Sequence, residues 1–174
     1  MSPPAEPDPP AEHRAYAPDS VSCLVLTVSD SRTLDDDSSG KAICEQLEAA
    51  GHRVAEWRVV PDEPDAIRGA LLRAVARADV DVAIVTGGTG VSPRDSTPET
   101  VAALLDKQLS GFGEQFRALS FDEIGPAAML SRALAGSASG TAVFVTPGSS
   151  GAVRLAMERL ILPELTHLVG QLRR

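Results

Sequence analysis

Four stretches of the chain carry apolar or β-prone residues in runs that fit strands: VSCLVLTVS (Val21–Ser29), HRVAEWRVVPD (His52–Asp62), DVDVAIVT (Asp79–Thr86) and TAVFVT (Thr141–Thr146). The first, third and fourth are nearly continuous, as expected of strands covered on both faces. Between them the apolar spacing lengthens to three or four residues, the helical period. Ile43, Leu47 and Ala50 mark one helix, closed by Gly51. Ile67, Leu71, Ala74, Val75 and Ala78 mark a second, with Pro64 near its start. Thr97 reads as an N-cap with Pro98 at the first helical position, ahead of Val101, Leu104 and Leu105. The segment from Ser110 to Ala135 is mostly helical in pattern, with breaks at Gly111, Gly113 and Gly125-Pro126. Val153, Met157, Leu160, Ile161, Leu165, Leu168 and Leu172 form a last helix, which Pro163 should kink or divide. Strands alternating with helices predict an α/β architecture on a mostly parallel sheet.

The 174 residues suit one domain, expected over 20–174. Residues 1–19 hold six of the thirteen prolines and no hydrophobic period, so they read as a disordered Pro-rich tail. Aromatics are only 3% of the chain, so Val, Leu, Ile and Ala must build the core. A formal net charge of −8 argues against a nucleic-acid surface, which needs a basic patch, but not against small anions, which answer to the local field. Cys23 and Cys44 are too few for a disulfide framework and read as buried, reduced thiols. The first residues lack the basic start and apolar stretch of a secretory signal, and no run approaches the roughly 20 apolar residues of a membrane span. A cytoplasmic protein with no membrane or nucleic-acid partner is expected.

In an open parallel sheet, ligands bind beyond the carboxyl ends of the strands. Here the four strands run into Ser29-Asp30, Pro61-Asp62, Thr86-Gly87-Gly88-Thr89-Gly90 and Pro147-Gly148-Ser149. If the strands are parallel, all four ends share one edge. The glycine run is a candidate anion cradle: glycines let backbone N–H groups converge, Thr86 and Thr89 add hydroxyls, and the helix starting at Thr97 adds a positive dipole end. A carboxylate next to bound phosphate, such as Asp95, calls for a cation between them. Mg²⁺ typically takes one or two carboxylates plus substrate phosphates. Asp62 is the candidate second ligand, and Arg94 offsets charge or contacts phosphate.

Blander roles are open to each feature. The glycine run also suits a tight turn, Asp95 a turn cap, and Ser149-Ser150 a cap of the last helix. Asp35-Asp36-Asp37 reads as a solvated acidic loop. Other signatures fail on single positions. DDDSSGK has Asp35 and Ala42 where a P-loop needs Gly and Ser or Thr; GGTGVSP has Pro93 where a dinucleotide fingerprint needs Gly; TPGSSGA has Ala152 where a nucleophile elbow needs Gly. His13, His52 and His167 are scattered, which favours neither a zinc site nor a catalytic triad.

The stretch TGGTGVSPRDSTPET (Thr86–Thr100) closely resembles the signature of the MoaB/Mog family of molybdenum cofactor biosynthesis proteins. VVPDEPD, GFGEQFRALSFDEIG, LSRALAG and TPGSSGAVRLAMERLILPEL extend the resemblance from about Val21 to Leu168, closer to the MoaB branch. It implies a three-layer αβα, molybdopterin-binding fold. Active members are molybdopterin adenylyltransferases, which use Mg²⁺ and ATP to transfer AMP to molybdopterin and release pyrophosphate. Their product passes to a molybdenum-insertion protein, and members assemble as trimers or hexamers. The resemblance places the catalytic, metal-binding aspartates at Asp62 and Asp95. Substrate and nucleotide contacts are then expected from Ser29, Asp30, Thr86 to Gly90, Arg94, Thr97, Glu99 and Pro147 to Ser149. A non-catalytic molybdopterin carrier or a scaffold of the same pathway is the alternative.

Overall fold

The computed structural model describes residues 16–174, so the expected tail lies outside the described residues as far as residue 15. From Tyr16 the chain lies against the C-terminal helix: a side chain at Gly170 would collide with the Tyr16 carbonyl, and the Arg174 guanidinium sits 4.1 Å from the Tyr16 ring centroid.

Six strands form one sheet. In chain order they are β1 (Ser22–Val28), β2 (Arg53–Val60), β3 (Val82–Thr86), β4 (Lys107–Gln108), β5 (Leu134–Ala138) and β6 (Thr141–Thr146). Their order across the sheet is β2-β1-β3-β6-β5-β4. β1 pairs in parallel with β2 and β3, and β3 with β6, whereas β5 runs antiparallel to β6 and to β4. The helices are α1 (Ser38–Ala49), α2 (Pro64–Val75), α3 (Thr97–Ala102), α4 (Ser110–Ile124), α5 (Ser150–Ala156) and α6 (Leu162–Leu172).

The continuous apolar strands resolve into two faces because successive side chains point opposite ways. Cys23, Val25, Val82, Ile84 and Phe144 pack with Ile43 and Leu47 of α1, Phe116 of α4, and Met157, Ile161 and Leu165 near the C-terminus. Leu24, Leu26, Ala83, Val85 and Val143 pack on the other face with Ile67 and Leu71 of α2 and Val101 of α3. The result is the expected three-layer αβα sandwich. Cys23 and Cys44 are free and buried, and desolvation pushes their thiols up to about 12 and about 11, so both are poor nucleophiles.

The helical segment differs from its expected outline. α4 runs straight through Gly111 and Gly113 and ends at Gly125, whose φ is +64°. Gly113 is a close-approach position, since a Cβ there would stand 2.6 Å from the Ala133 carbonyl oxygen. Leu134 and Ala135, the last residues of the stretch read as helical, instead begin β5 (Leu134–Ala138). Its turn to β6 is Ser139-Gly140, both with positive φ, as a tight two-residue hairpin requires. The last helix is divided next to Pro163, which stands in the first turn of α6. A π-turn over Met157–Ile161 joins α5 to α6, with the Leu162 N–H donating to the Met157 carbonyl, and this wider turn accommodates the proline just beyond it.

Candidate functional site

The parallel pairing of β2, β1, β3 and β6 puts their four carboxyl ends on one edge, as the pattern required. Thr86 closes β3, and the chain then turns at Gly87 (φ +98°) and Gly88 (φ +61°). Gly87 N–H donates to the Thr146 carbonyl at 3.1 Å, and Thr86 Oγ1 donates to the Pro147 carbonyl at 3.3 Å. These bonds lock the glycine loop to the Pro147-Gly148-Ser149 turn. A Cβ at Gly87 would overlap the Val28 carbonyl at the end of β1, so the loop passes over β1 closer than any side chain permits.

Asp62 stands beside this loop. It is 9% exposed, and its Oδ1 accepts from Ser96 Oγ at 3.2 Å and Ser96 N–H at 3.5 Å. Its Oδ2 faces Gly88: a Cβ there would lie 2.6 Å from that oxygen and would also overlap Thr97 Oγ1. Thr97 Oγ1 is buried and has no hydrogen-bond partner among the described residues. Burial pushes the Asp62 carboxyl above its ordinary range, and the negative charges of Asp95 and Asp30 push it further.

Asp95 is held differently. Its Oδ2 accepts from Ser92 Oγ at 2.6 Å and Ser92 N–H at 3.0 Å, and the Ser92 hydroxyl bond is the main reason its carboxyl sits below the usual range. It therefore closes a turn, as one reading proposed, while its charge still acts on Asp62. Arg94 is committed to two carboxylates, Asp30 Oδ2 and Glu63 Oε1, at 2.7 Å each. Asp30 Oδ1 in turn accepts the Asp62 N–H at 2.9 Å, so Arg94, Asp30 and Asp62 form one chain across two strand ends.

Two local expectations change, and a third holds. Thr97 is not the N-cap of α3: Ser96 occupies that position without a capping bond, because its hydroxyl serves Asp62, and Thr97 N–H is tied to the Gly88 carbonyl at 3.1 Å. Asp37 is not solvated. It is 2% exposed and accepts from Thr27 Oγ1 at 2.5 Å, Trp57 Nε1 at 2.9 Å and Gly40 N–H at 3.0 Å, so it caps α1 and ties β1 to β2. Ser149 caps α5, its Oγ accepting from Ala152 N–H at 3.3 Å.

Sequence reasoning passed over Arg132. It enters from the segment before β5 and donates to the carbonyls of Thr89 (3.1 Å), Gly90 and Asp95 (2.9 Å), with Glu99 as its ion-pair partner. One guanidinium thus fixes the glycine loop, the Arg94-Asp95 turn and the start of α3 together. Ser29 Oγ accepts from the Ser31 and Arg32 N–H groups, and Arg32 lines a small cavity with Thr86, Gly87 and Gly148 of the glycine loop and its neighbouring turn.

Among the described residues, no group of three or more His, Cys, Asp or Glu side chains is arranged to hold a metal. A hard cation bound jointly by protein and phosphate needs fewer: one or two carboxylates suffice for Mg²⁺. The gap over Gly88, walled by Asp62 Oδ2 and the unpartnered Thr97 hydroxyl, fits such oxygen donors. A cavity of about 300 Å³ opens on the other side of the loop, between Thr89, Gly90, Pro147 and Ser149 and the apolar side chains Phe116, Ile124 and Leu155. Among the described residues, no helix is long and apolar enough to cross a membrane.

Residues 24–167 match the family model described as "Probable molybdopterin binding domain". The chain is 52% identical over 162 residues to molybdenum cofactor biosynthesis protein B of Halalkalibacterium halodurans, covering 92% of this chain and 95% of that one. A crystal structure of a molybdenum cofactor biosynthesis protein B superposes with a TM-score of 0.88 at 50% identity, over 91% of this chain and 99% of the other. The tungsten cofactor synthesizing protein MoaB of Pyrococcus furiosus superposes with a TM-score of 0.82 at 38% identity, over 91% and 100%.

Proposed function

The chain belongs to the molybdopterin-binding-domain family that includes molybdenum cofactor biosynthesis protein B, and on that premise we propose that it acts in molybdenum cofactor biosynthesis by transferring AMP from ATP to the phosphate of molybdopterin. One observation carries the reading: a glycine cradle and two aspartates, Asp62 and Asp95, stand together where four parallel strands end.

In this transfer a phosphate oxygen of molybdopterin attacks the α-phosphorus of ATP. The bond from that phosphorus to the bridging oxygen breaks, and its electron pair leaves with pyrophosphate. No side-chain nucleophile is required. The protein's work is to align two anionic groups and offset their charge. Gly87, Gly88, Thr89 and Gly90 supply a loop that phosphate can approach closely, held in shape by Arg132. Asp62 and Asp95 would hold Mg²⁺, which when bound supplies positive charge to the phosphate oxygens. The raised Asp62 carboxyl fits a group whose ionised form is costly until a cation arrives. The cavity beside Pro147 and Ser149 has apolar walls suited to a flat heterocycle.

The product would pass to a molybdenum-insertion protein. Phe121, Ile124, Met129 and Leu130, each more than half exposed, supply an apolar face on which copies of the chain would assemble as a trimer or hexamer. The test is molybdopterin-dependent release of pyrophosphate from Mg-ATP. Asp95→Asn should cut turnover far more than it weakens molybdopterin binding, because the glycine cradle stays in place. Collapse of binding with turnover per bound substrate unchanged would refute that assignment.

A further inference from the structure

Arg94, Arg132 and Arg32 bring guanidinium groups to the glycine loop and the strand ends around it, and the first two have both Nη groups engaged. Arg94 is held by Asp30 and Glu63, and Arg132 by three backbone carbonyls and Glu99. Arg32 differs. Only its Nη1 is engaged, with Ser38 Oγ and Ser39 Oγ at 3.3 Å each and with Asp37 Oδ1 at 3.7 Å. Its Nε and Nη2 have no hydrogen-bond partner among the described residues, which leaves one edge of the planar fork open.

We infer that Arg32 and Ser29 form a phosphate subsite beside the glycine loop, taking a phosphate monoester or the phosphate chain of a nucleotide. The inference rests on the reading of this edge as a phosphoryl-substrate site. Arg32 lines a small cavity of about 110 Å³ with Ser29, Ser39, Thr86, Gly87 and Gly148. That volume suits a single phosphate group, well short of the roughly 300–1,000 Å³ of a whole-ligand pocket. Arg32 also walls a wider, open groove of about 550 Å³ with Asp30, Trp57, Pro61 and Arg58, the last paired with Glu56, which leaves room for the rest of a ligand.

The hydrogen bonds assign the roles. Ser29 Oγ accepts two backbone N–H groups, so its own proton is free for an incoming oxygen. Ser39 Oγ donates to the Gly148 carbonyl at 2.7 Å and accepts from Arg32, so Ser39 is a positioning residue that joins Arg32 to the Pro147–Ser149 turn. Of the nearby carboxylates, Asp30 is paired with Arg94, buried Asp37 accepts three hydrogen bonds besides its 3.7 Å contact with Arg32, and Asp36 accepts from the Thr33 N–H and hydroxyl. Among Arg32, Arg94 and Arg132, Arg32 therefore offers the one open bidentate donor pair.

The experiment is a titration of the full-length protein with inorganic phosphate and, separately, pyrophosphate, followed by calorimetry or phosphorus NMR. Arg32→Ala should weaken phosphate binding about tenfold or more, as expected for loss of a charge-assisted pair. Arg32→Lys, which keeps the charge but loses the fork, should fall between. Arg53→Ala, remote and paired with Asp79, should bind like wild type, which separates the subsite from net charge. If Arg32→Ala selectively raises the KM for ATP, the subsite holds the nucleotide chain; if it raises the KM for molybdopterin, the monoester. Phosphate binding unchanged in both Arg32 variants, or absent in wild type at millimolar concentration, overturns the inference. A protein that binds phosphate through Arg32 yet releases no pyrophosphate would refute the transferase reading and leave the subsite standing.

Discussion

Replacing Gly87 by alanine tests whether the loop geometry is imposed by the fold. Two costs add. At φ +98° an L-residue is strained, by roughly 1–3 kcal/mol. The new Cβ would also overlap the Val28 carbonyl, a backbone atom that can yield only by moving β1, and such overpacking costs roughly 1–3 kcal/mol. The sum, about 2–6 kcal/mol, is a large part of the ~5–15 kcal/mol that typically holds a domain together. At about 2–4 °C per kcal/mol for a chain of this size, Tm should fall by roughly 5–20 °C. Gly111→Ala is the matched control: nothing lies within 4 Å of its Cβ position and it sits in the first turn of α4, so stability should rise by up to ~1 kcal/mol. Calorimetric unfolding of the two variants beside wild type decides the matter. A Gly87→Ala protein with wild-type Tm would refute the close approach of the loop to β1.

Asp62→Asn should raise Tm at pH 7 while turnover falls. The folded carboxyl sits above its unfolded value, so its ionisation works against the fold; this penalty is full above the folded value, shrinks as pH falls through it and is gone below the unfolded value. The variant's advantage in thermal unfolding should therefore shrink on acidification, and a lower Tm than wild type at pH 7 would contradict the argument. Arg132→Lys cannot reach three carbonyls at once, so it should lose about 2–4 kcal/mol in denaturant unfolding and speed amide hydrogen exchange at Gly88 and Gly90. Unchanged exchange there would mean that the loop holds itself.

The edge itself was legible from the chain. Continuous apolar strands imply parallel pairing, and parallel pairing puts Asp62, the glycine loop and Pro147–Ser149 side by side. β5 was not legible, because Leu134–Ala138 is built mainly of small residues; only the Ser139-Gly140 turn hinted at a hairpin. Arg132 was hidden because it binds backbone carbonyls 37 to 43 residues away, a contact that carries no local pattern. Asp37 looked like one of three solvated carboxylates, yet it meets Trp57 and Thr27 only because Gly40 leaves space between them. Spacing reveals a cradle. Which arginine is free to use it depends on partners far along the chain.

The most direct measurement is pyrophosphate release by the purified protein given Mg-ATP with and without molybdopterin. Release is expected only when both are present, one pyrophosphate for each adenylylated molybdopterin formed, with near-complete loss in Asp95→Asn. Tight binding of molybdopterin by the wild type, with no pyrophosphate above background, would contradict it.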